Sequence, residues 1–335
     1  MSTTTLDIPQ RRLGVVHTGY QASRLEIPLR AGTRGSPLAL AQARAVMSLL
    51  GQRLPGSALS TNIIRTTGDA IQGRRLADIG GKGLFSKEIH EALLDGRIDL
   101  AVHSLKDLET DLPPNIVLAC TLPRQDARDA LILAPGTPVP TDRHPYATLP
   151  LGALLGSSSV RRQAQLLAAR PDIRIETIRG NIETRLSKLD NHAFVATFLA
   201  VSGLRRLNMQ SAASVILEPE VMVPAAGQGI VGVTVREADT DLRDLLHQIS
   251  DSGAALAAGA ERAVLRALDG SCRTPIGAYA RLRPDGVLHL VGLVARADGS
   301  FVLKGDIFGA PSDAARLGIE LGTSLRLDSP QDIFE

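Results

Sequence analysis

Apolar positions along this chain gather into short runs, each followed by a turn of small residues and then by a helical pattern. Leu25–Thr33 reads as a strand. Ser36 then suits a helix N-cap with Pro37 at the first helical position, and the helical pattern continues to Leu50 and Gly51. A second helix is predicted over Phe85–Leu94; it stops at Gly96 and feeds a strand at Ile98–Val102. The third unit runs from Leu149 to Gly156, through Ser157–Ser159, into a helix over Val160–Arg170 halted by Pro171. The fourth is a strand Ile173–Ile178, a turn Arg179–Gly180–Asn181 and a helix through Leu189. Strands alternating with helices predict parallel α/β sheets.

Two stretches, Leu122–Leu133 and Glu218–Gly229, interrupt the rhythm and read as crossings between two domains. The apolar strand Ile230–Val235 would return to the first sheet. From Asp251 the texture changes. An alanine-rich helix reaches Leu268, Gly270 ends it, and alternating strands follow at Ile276–Leu282, Val287–Val294 and Phe301–Lys304. The expected fold class is therefore α/β, with two such domains around a hinged cleft and a small C-terminal α+β domain. The division predicted is residues 25–122 with 230–247 for the first domain, 128–223 for the second and 252–335 for the third. Residues 1–24 show no clear apolar period and read as a disordered extension.

Composition narrows the function. Basic and acidic residues nearly balance, 37 against 35, and only 3% of the chain is aromatic, with no Trp. A single-strand nucleic-acid binder needs stacking rings near its cations, so that class is disfavoured. The two cysteines, Cys120 and Cys272, lie far apart with no paired Cys/His spacing, so no metal site is expected. The absence of a secretory signal or disulfide framework favours a cytoplasmic setting; an organellar one would follow if residues 1–24 acted as a targeting segment, against which Asp7 counts. No apolar run approaches the length of a membrane span.

The segment IDLAVHSLKDL, Ile98 to Leu108, carries the strongest chemical signal. A strand that ends in Lys106 and Asp107 presents a cation and a carboxylate where open α/β sheets meet their ligands. Only five lysines occur, and three of them (Lys82, Lys87 and Lys106) fall between residues 82 and 106. Gly80–Gly83 does not satisfy a phosphate-binding loop, because Leu76 stands at the first glycine position and Gly83 follows the lysine. Arginines recur at turns: Arg34 before Ser36, Arg161 and Arg162 after Ser157–Ser159, Arg179 and Arg185 around the next turn, Arg205 and Arg206 after Gly203. Guanidinium forks beside helix N-termini match carboxylates, so these turns together point to a polyanionic ligand, against the alternative of surface ion pairs. Asp107 is a candidate general acid/base or cation stabiliser, the alternative being a helix N-cap. His103 reads as a hydrogen-bonded structural histidine and Cys120 as core. Cys272, in LDGSCRTPIG, reads as an accessible thiol that Arg273 could activate.

Taken in order, TRGSPLALAQA, TTGD, GGKGLFSKEIHEALL, DLAVHSLKDL, GSSSVRRQAQL, RGNIETRLSKLD, LAVSGLRRL, PAAGQGIVGV and LDGSCRTPIGAYA resemble the hydroxymethylbilane synthase (porphobilinogen deaminase) family over residues 33 to 280. The resemblance implies three domains, the first two like those of periplasmic binding proteins. It implies a monomeric transferase of tetrapyrrole biosynthesis that joins four porphobilinogen units head to tail with loss of ammonia. The primer would be a dipyrromethane cofactor held by a thioether to Cys272, and the catalytic aspartate would be Asp107. Cofactor and substrate carboxylates would be held by Arg34, Ser36, Lys82, Lys87, Lys106, Ser158, Arg161, Arg162, Arg179, Arg185 and Arg206. Ser271 stands where some members have Gly, and Val195 where some have an acidic residue. Two rivals remain at this point: a non-catalytic hinged binding protein for a polycarboxylate, and a thiol hydrolase pairing Cys272 with His103.

Overall fold

A computed structural model describes residues 28–70, 83–269 and 274–334. Lobe 1 is built on a five-stranded sheet of order β2-β1-β3-β10-β4, using β1 (Leu29–Thr33), β2 (Leu59–Ile63), β3 (Leu100–Ser104), β4 (Ile116–Thr121) and β10 (Val231–Arg236). β1 lies parallel to β2 and β3, whereas β10 runs antiparallel between β3 and β4. Lobe 2 repeats the plan as β7-β6-β8-β5-β9, from β5 (Asp129–Leu133), β6 (Leu154–Gly156), β7 (Arg174–Glu176), β8 (Ala196–Ala200) and β9 (Val215–Leu217). Here β5 is the antiparallel insert, between β8 and β9. The first sheet thus receives β10 from beyond the second crossing, whereas the second sheet is built from one continuous stretch, and two chain segments join the lobes.

Helices cover these sheets: α1 (Pro37–Arg53), α2 (Thr67–Ala70) and α3 (Lys87–Leu94) belong to lobe 1, and α4 (Val160–Ala169), α5 (Ile182–Asp190) and α6 (Val201–Arg206) to lobe 2. α7 (Thr240–His247) returns to lobe 1, where Leu242, Leu245 and Leu246 join the core with Val46, Leu50, Val102 and Val233. Central strands are buried on both faces, as Leu100–Val102 and Ala130–Ile132 illustrate. The C-terminal unit is an antiparallel meander, β11 (Ile276–Leu282), β12 (Leu288–Ala295) and β13 (Val302–Gly309), packed against α8 (Ser252–Leu268) and α9 (Ala314–Leu327). α8 and α9 approach closely: a Cβ on Gly318 would sit 2.3 Å from the Ala260 carbonyl oxygen and one on Gly322 2.6 Å from Ala267 Cβ. Among the described residues no helix is long and apolar enough to cross a membrane.

The expected class, two α/β lobes and a small α+β unit, is the one the chain adopts, and the strand at 230–235 does return to the first sheet. Three expectations need correction. The crossing placed at Leu122–Leu133 is shorter, because Asp129–Leu133 is already β5; its charged first residue is buried against two arginines. His103 and Ser104 lie within β3 rather than beyond it, since their backbone pairs with β10. Helix α3 starts at Lys87, two residues after the predicted Phe85, because Gly83–Ser86 form a turn first. The expectations for residues 1–24, Lys82 and Cys272 fall outside the described residues.

Candidate functional site

The parallel neighbours β1 and β3 end side by side, so the turns that follow them share one edge of the sheet. After β1 the chain passes Arg34 and Gly35 to Ser36, whose Oγ accepts from Ala39 N at 3.2 Å and caps α1 as the sequence predicts. After β3 a single 3-10 turn, Leu105–Asp107, exposes Asp107 and leaves Leu105 buried. The two turns border a cleft with Arg34, Ser36, Gln42, Phe85, His103, Ser104 and Asp107 among its walls. No described residue donates a hydrogen bond to the Asp107 carboxylate, and it does not cap a helix. Gln42 and Ser104 brace the wall by exchanging hydrogen bonds of 2.8 and 3.0 Å.

Arg34 is held from two sides. Its guanidinium carbon sits 4.1 Å from the centroid of the Phe85 ring, and its Nε reaches both Asp69 oxygens at 3.2 Å. Burial alone would raise the Asp69 pKa, but the hydrogen bonds and charge of Arg34, with help from Thr66, outweigh it and pull it down. Residues 67–68 are tied to the turn and helix that begin at Gly83: Gly68 N donates to the Leu84 carbonyl at 2.8 Å, and Thr67 N to Glu88 Oε1 at 2.9 Å.

A second group of basic residues belongs to lobe 2. Ser159 caps α4, and the first turn of that helix delivers Arg161 and Arg162 inward. Both guanidiniums are spent on Asp129, which is fully buried: Arg161 Nη2 lies 2.8 Å from Oδ2 and Arg162 Nη2 2.7 Å from Oδ1. Burial would raise the Asp129 pKa, but the charges of Arg161 and Arg162 hold it far below the usual carboxylate range. The amide of Gln228, in the second crossing, ties this trio to lobe 1. Its Nε2 donates to Asp129 Oδ1 at 2.8 Å, while its Oε1 accepts from Lys106 Nζ at 3.2 Å. Burial pushes the Lys106 ammonium down to about 8; the Asp107 charge opposes this, and Arg162 reinforces it.

Arg185 and Arg206 differ from that pair. Among the described residues their polar partners are carbonyls, Gly180 O at 3.0 Å for Arg185 Nε and Gly229 O at 2.6 Å for Arg206 Nη2. Burial brings both down to about 10, and Arg185 is lowered further by the charges of Arg162 and Arg179 while Asp107 opposes. Among the described residues neither forms an ion pair. The site therefore carries cations in excess of its own carboxylates, a donor set suited to a ligand bearing several carboxylates.

The structure brings together Arg34, Ser36, Lys106, Asp107, Arg161, Arg162, Arg179 and Arg185, by contact or by the mutual influence of their charges. It sets others apart. Lys87 is exposed at the start of α3, and Ser158 spends its hydroxyl on the Ile178 carbonyl at 2.5 Å. His103 is the structural histidine expected: Nε2 lies 3.0 Å from Thr234 Oγ1, and burial drives its pKa down to about 3. Cys120 is core, its thiol pushed up by burial to about 11. Sequence reading assigned no part to Phe85, Gln42, Asp129 or Gln228. Asp129 left a signal, a charge opening an otherwise apolar strand; Gln228 left only its place between two glycines.

Comparison with known proteins assigns most of the chain. Residues 29–244 match the family model "Porphobilinogen deaminase, dipyromethane cofactor binding domain", and residues 255–326 match "Porphobilinogen deaminase, C-terminal domain". A porphobilinogen deaminase of Paracoccus denitrificans is 46% identical over 310 residues, 92% of this chain and 96% of that protein. One from Sorangium cellulosum is 45% identical over 89% of this chain and 98% of its own. A chloroplastic one from Oryza sativa is 41% identical over 100% of this chain and 94% of its own. Among solved structures, substrate binding domain 2 of Lactococcus lactis GlnP aligns over 72% of this chain and 90% of its own, at 12% identity and a TM-score of 0.39, a likeness too slight to build on.

Proposed function

The chain belongs to the porphobilinogen deaminase family, and from that membership we propose that it condenses four porphobilinogen molecules head to tail into hydroxymethylbilane, releasing ammonia at each step, on a dipyrromethane primer attached to Cys272. The observation that carries the chemistry is Asp107, an exposed carboxylate in one cleft with Arg34 and Ser36 and next to the Lys106 ammonium. No observation favours a non-catalytic binding protein over this reading.

The dipyrromethane, when bound, would supply the free pyrrole carbon to which the first unit is joined, and each added unit would supply the next. Its acetate and propionate groups, and those of the substrate, are assigned to Arg34, Ser36, Lys82, Lys106, Arg161, Arg162, Arg179, Arg185 and Arg206; for Lys87 and Ser158, which the structure sets apart, the assignment rests on the family resemblance alone. At each step the aminomethyl C–N bond of a porphobilinogen breaks, ammonia leaves, and an electron-poor azafulvene cation remains. The Asp107 carboxylate steadies that charge. It can also hand a proton to the departing amine and accept the one shed when the new C–C bond forms. Arginines around it keep the chain ends positioned between encounters.

The domain division at 25–122 with 230–247, 128–223 and 252–335, a single-copy working unit and a cytoplasmic location complete the proposal. Mass spectrometry tests its centre. The purified protein should exceed its sequence mass by a dipyrrole adduct, mapped to the peptide holding Cys272, and should release ammonia from porphobilinogen. Cys272→Ser should lose the adduct and turnover together. An active protein of unmodified mass would sink the reading.

A further inference from the structure

Helix α8 lies against the turn that carries Asp107. Its N-cap, Asp251, donates its backbone N–H to the Thr121 carbonyl at the end of β4 (2.8 Å). Its first turns bury Ala254 and Ala258 in one apolar cluster with Leu105, Leu108 and Ile230, so the helix packs on both flanks of the Lys106–Asp107 pair. One turn further on, Arg262 is buried and directs its guanidinium at three successive carbonyls just after Asp107. Nη2 donates to Glu109 O at 2.5 Å and to Thr110 O at 2.8 Å, and Nη1 to Leu108 O at 3.4 Å. Arg266 adds Thr110 O at 3.2 Å and the Asp111 carboxylate at 3.0 Å.

No carboxylate pairs with Arg262 among the described residues. Burial brings its pKa down to about 10, with the neighbouring Arg266 charge adding to the effect. A buried cation whose partners are only carbonyls is an expensive way to fill space, and an apolar side chain would pack there at less cost. The guanidinium fork does what no apolar residue can: it fixes the orientation of consecutive peptide groups. The same helix ends at Leu268, with Asp269 in a left-handed cap, three residues before Cys272. Glu109, whose carbonyl Arg262 holds, also accepts from Ser86 Oγ through its carboxylate at 2.7 Å.

We propose that Arg262 is a positioning residue that locks the Asp107 turn to α8, so that the carboxylate keeps one place and orientation through every condensation. This rests on the function proposed above. It requires the lengthening chain to be accommodated elsewhere, while α8 and the Asp107 turn stay a unit.

The test uses the full-length, primer-bearing protein, with each addition followed by intact mass after rapid mixing with porphobilinogen. Arg262→Met should fold, carry the adduct and bind porphobilinogen with nearly unchanged KM, while every addition slows by about 10- to 100-fold. Arg262→Lys, which keeps a cation on fewer carbonyls, should recover part of the rate. Folded, primed Arg262→Met that adds units at the wild-type rate overturns the proposal. If that variant does not fold, wild-type rates in folded Arg262→Lys overturn it instead. Should the wild-type protein itself show neither adduct nor ammonia release, the underlying function fails rather than the role of Arg262.

Discussion

Arg162 and Asp129 meet twice inside lobe 2: Nη2 lies 2.7 Å and Nε 3.2 Å from the same carboxylate oxygen. Arg161 takes the other oxygen. One buried acid therefore preassembles two cations of the candidate site before any ligand arrives, and Gln228 passes that order to Lys106.

Asp129→Asn should strip both guanidiniums of their counter-charge and destabilise the protein by about 3–5 kcal/mol, read from urea unfolding. The pH dependence has a definite sign. The folded pKa of Asp129 is depressed, so its contribution is complete above the unfolded carboxylate value of about 3.9 and is lost as pH falls below it. The stability of the wild type should decline on acidification through that range, and the Asn variant should show a shallower decline.

Arg185→Leu should separate binding from stability. The side chain gives up no ion pair, so unfolding should shift by about 1 kcal/mol or less. KM for porphobilinogen should rise by about tenfold or more if a ligand carboxylate is lost. Arg162→Leu should impair both, because it also abandons Asp129; comparison of denaturation curves and saturation kinetics for the two variants checks this.

Asp107→Ala removes an exposed carboxylate that accepts no hydrogen bond from any described residue. Its melting temperature should stay within a few degrees of wild type, with condensation slowed by about 10²- to 10⁴-fold. Single-turnover assays alongside thermal unfolding test the pairing; near-normal rates would remove Asp107 from the chemistry.

Lys106 should set an alkaline limb. With its pKa brought to about 8, it loses its proton as pH rises past that point, and affinity for carboxylates should fall with it. In Lys106→Arg the cation persists, so the limb should move upward by more than one pH unit. The linkage to stability runs the other way. Between about 8 and the unfolded lysine value of about 10.4 the unfolded chain binds more protons, so Lys106 opposes folding less as pH climbs.

What could be read from sequence divides along physical lines. The Ser36 cap, the strand that leads into the Lys106–Asp107 turn and the alanine-rich helix were legible because local chemistry decides them. β2 was not: Leu59–Ile63 is largely exposed at a sheet edge and has no clean alternation. α9 escaped because Gly318 and Gly322 argue against a helix, and only the close approach to α8 explains them. The arginines of α4 were recognised as cations at a turn. Their shared partner lies more than 30 residues earlier in the chain, and no periodicity encodes such a pairing.

The position of β10 has a consequence for how the molecule comes into being. Val231–Arg236 occupies the penultimate place in the first sheet and pairs with both β3 and β4. A ribosome emitting the chain from its N-terminus releases every strand of lobe 2 before it releases this one. β4 has no other partner in its sheet, so it waits through some hundred residues of synthesis with its ladder open. The earlier-born half of the protein is thus the later to be completed, and nascent chains halted between β9 and β10 should hold a finished lobe 2 beside an unfinished lobe 1.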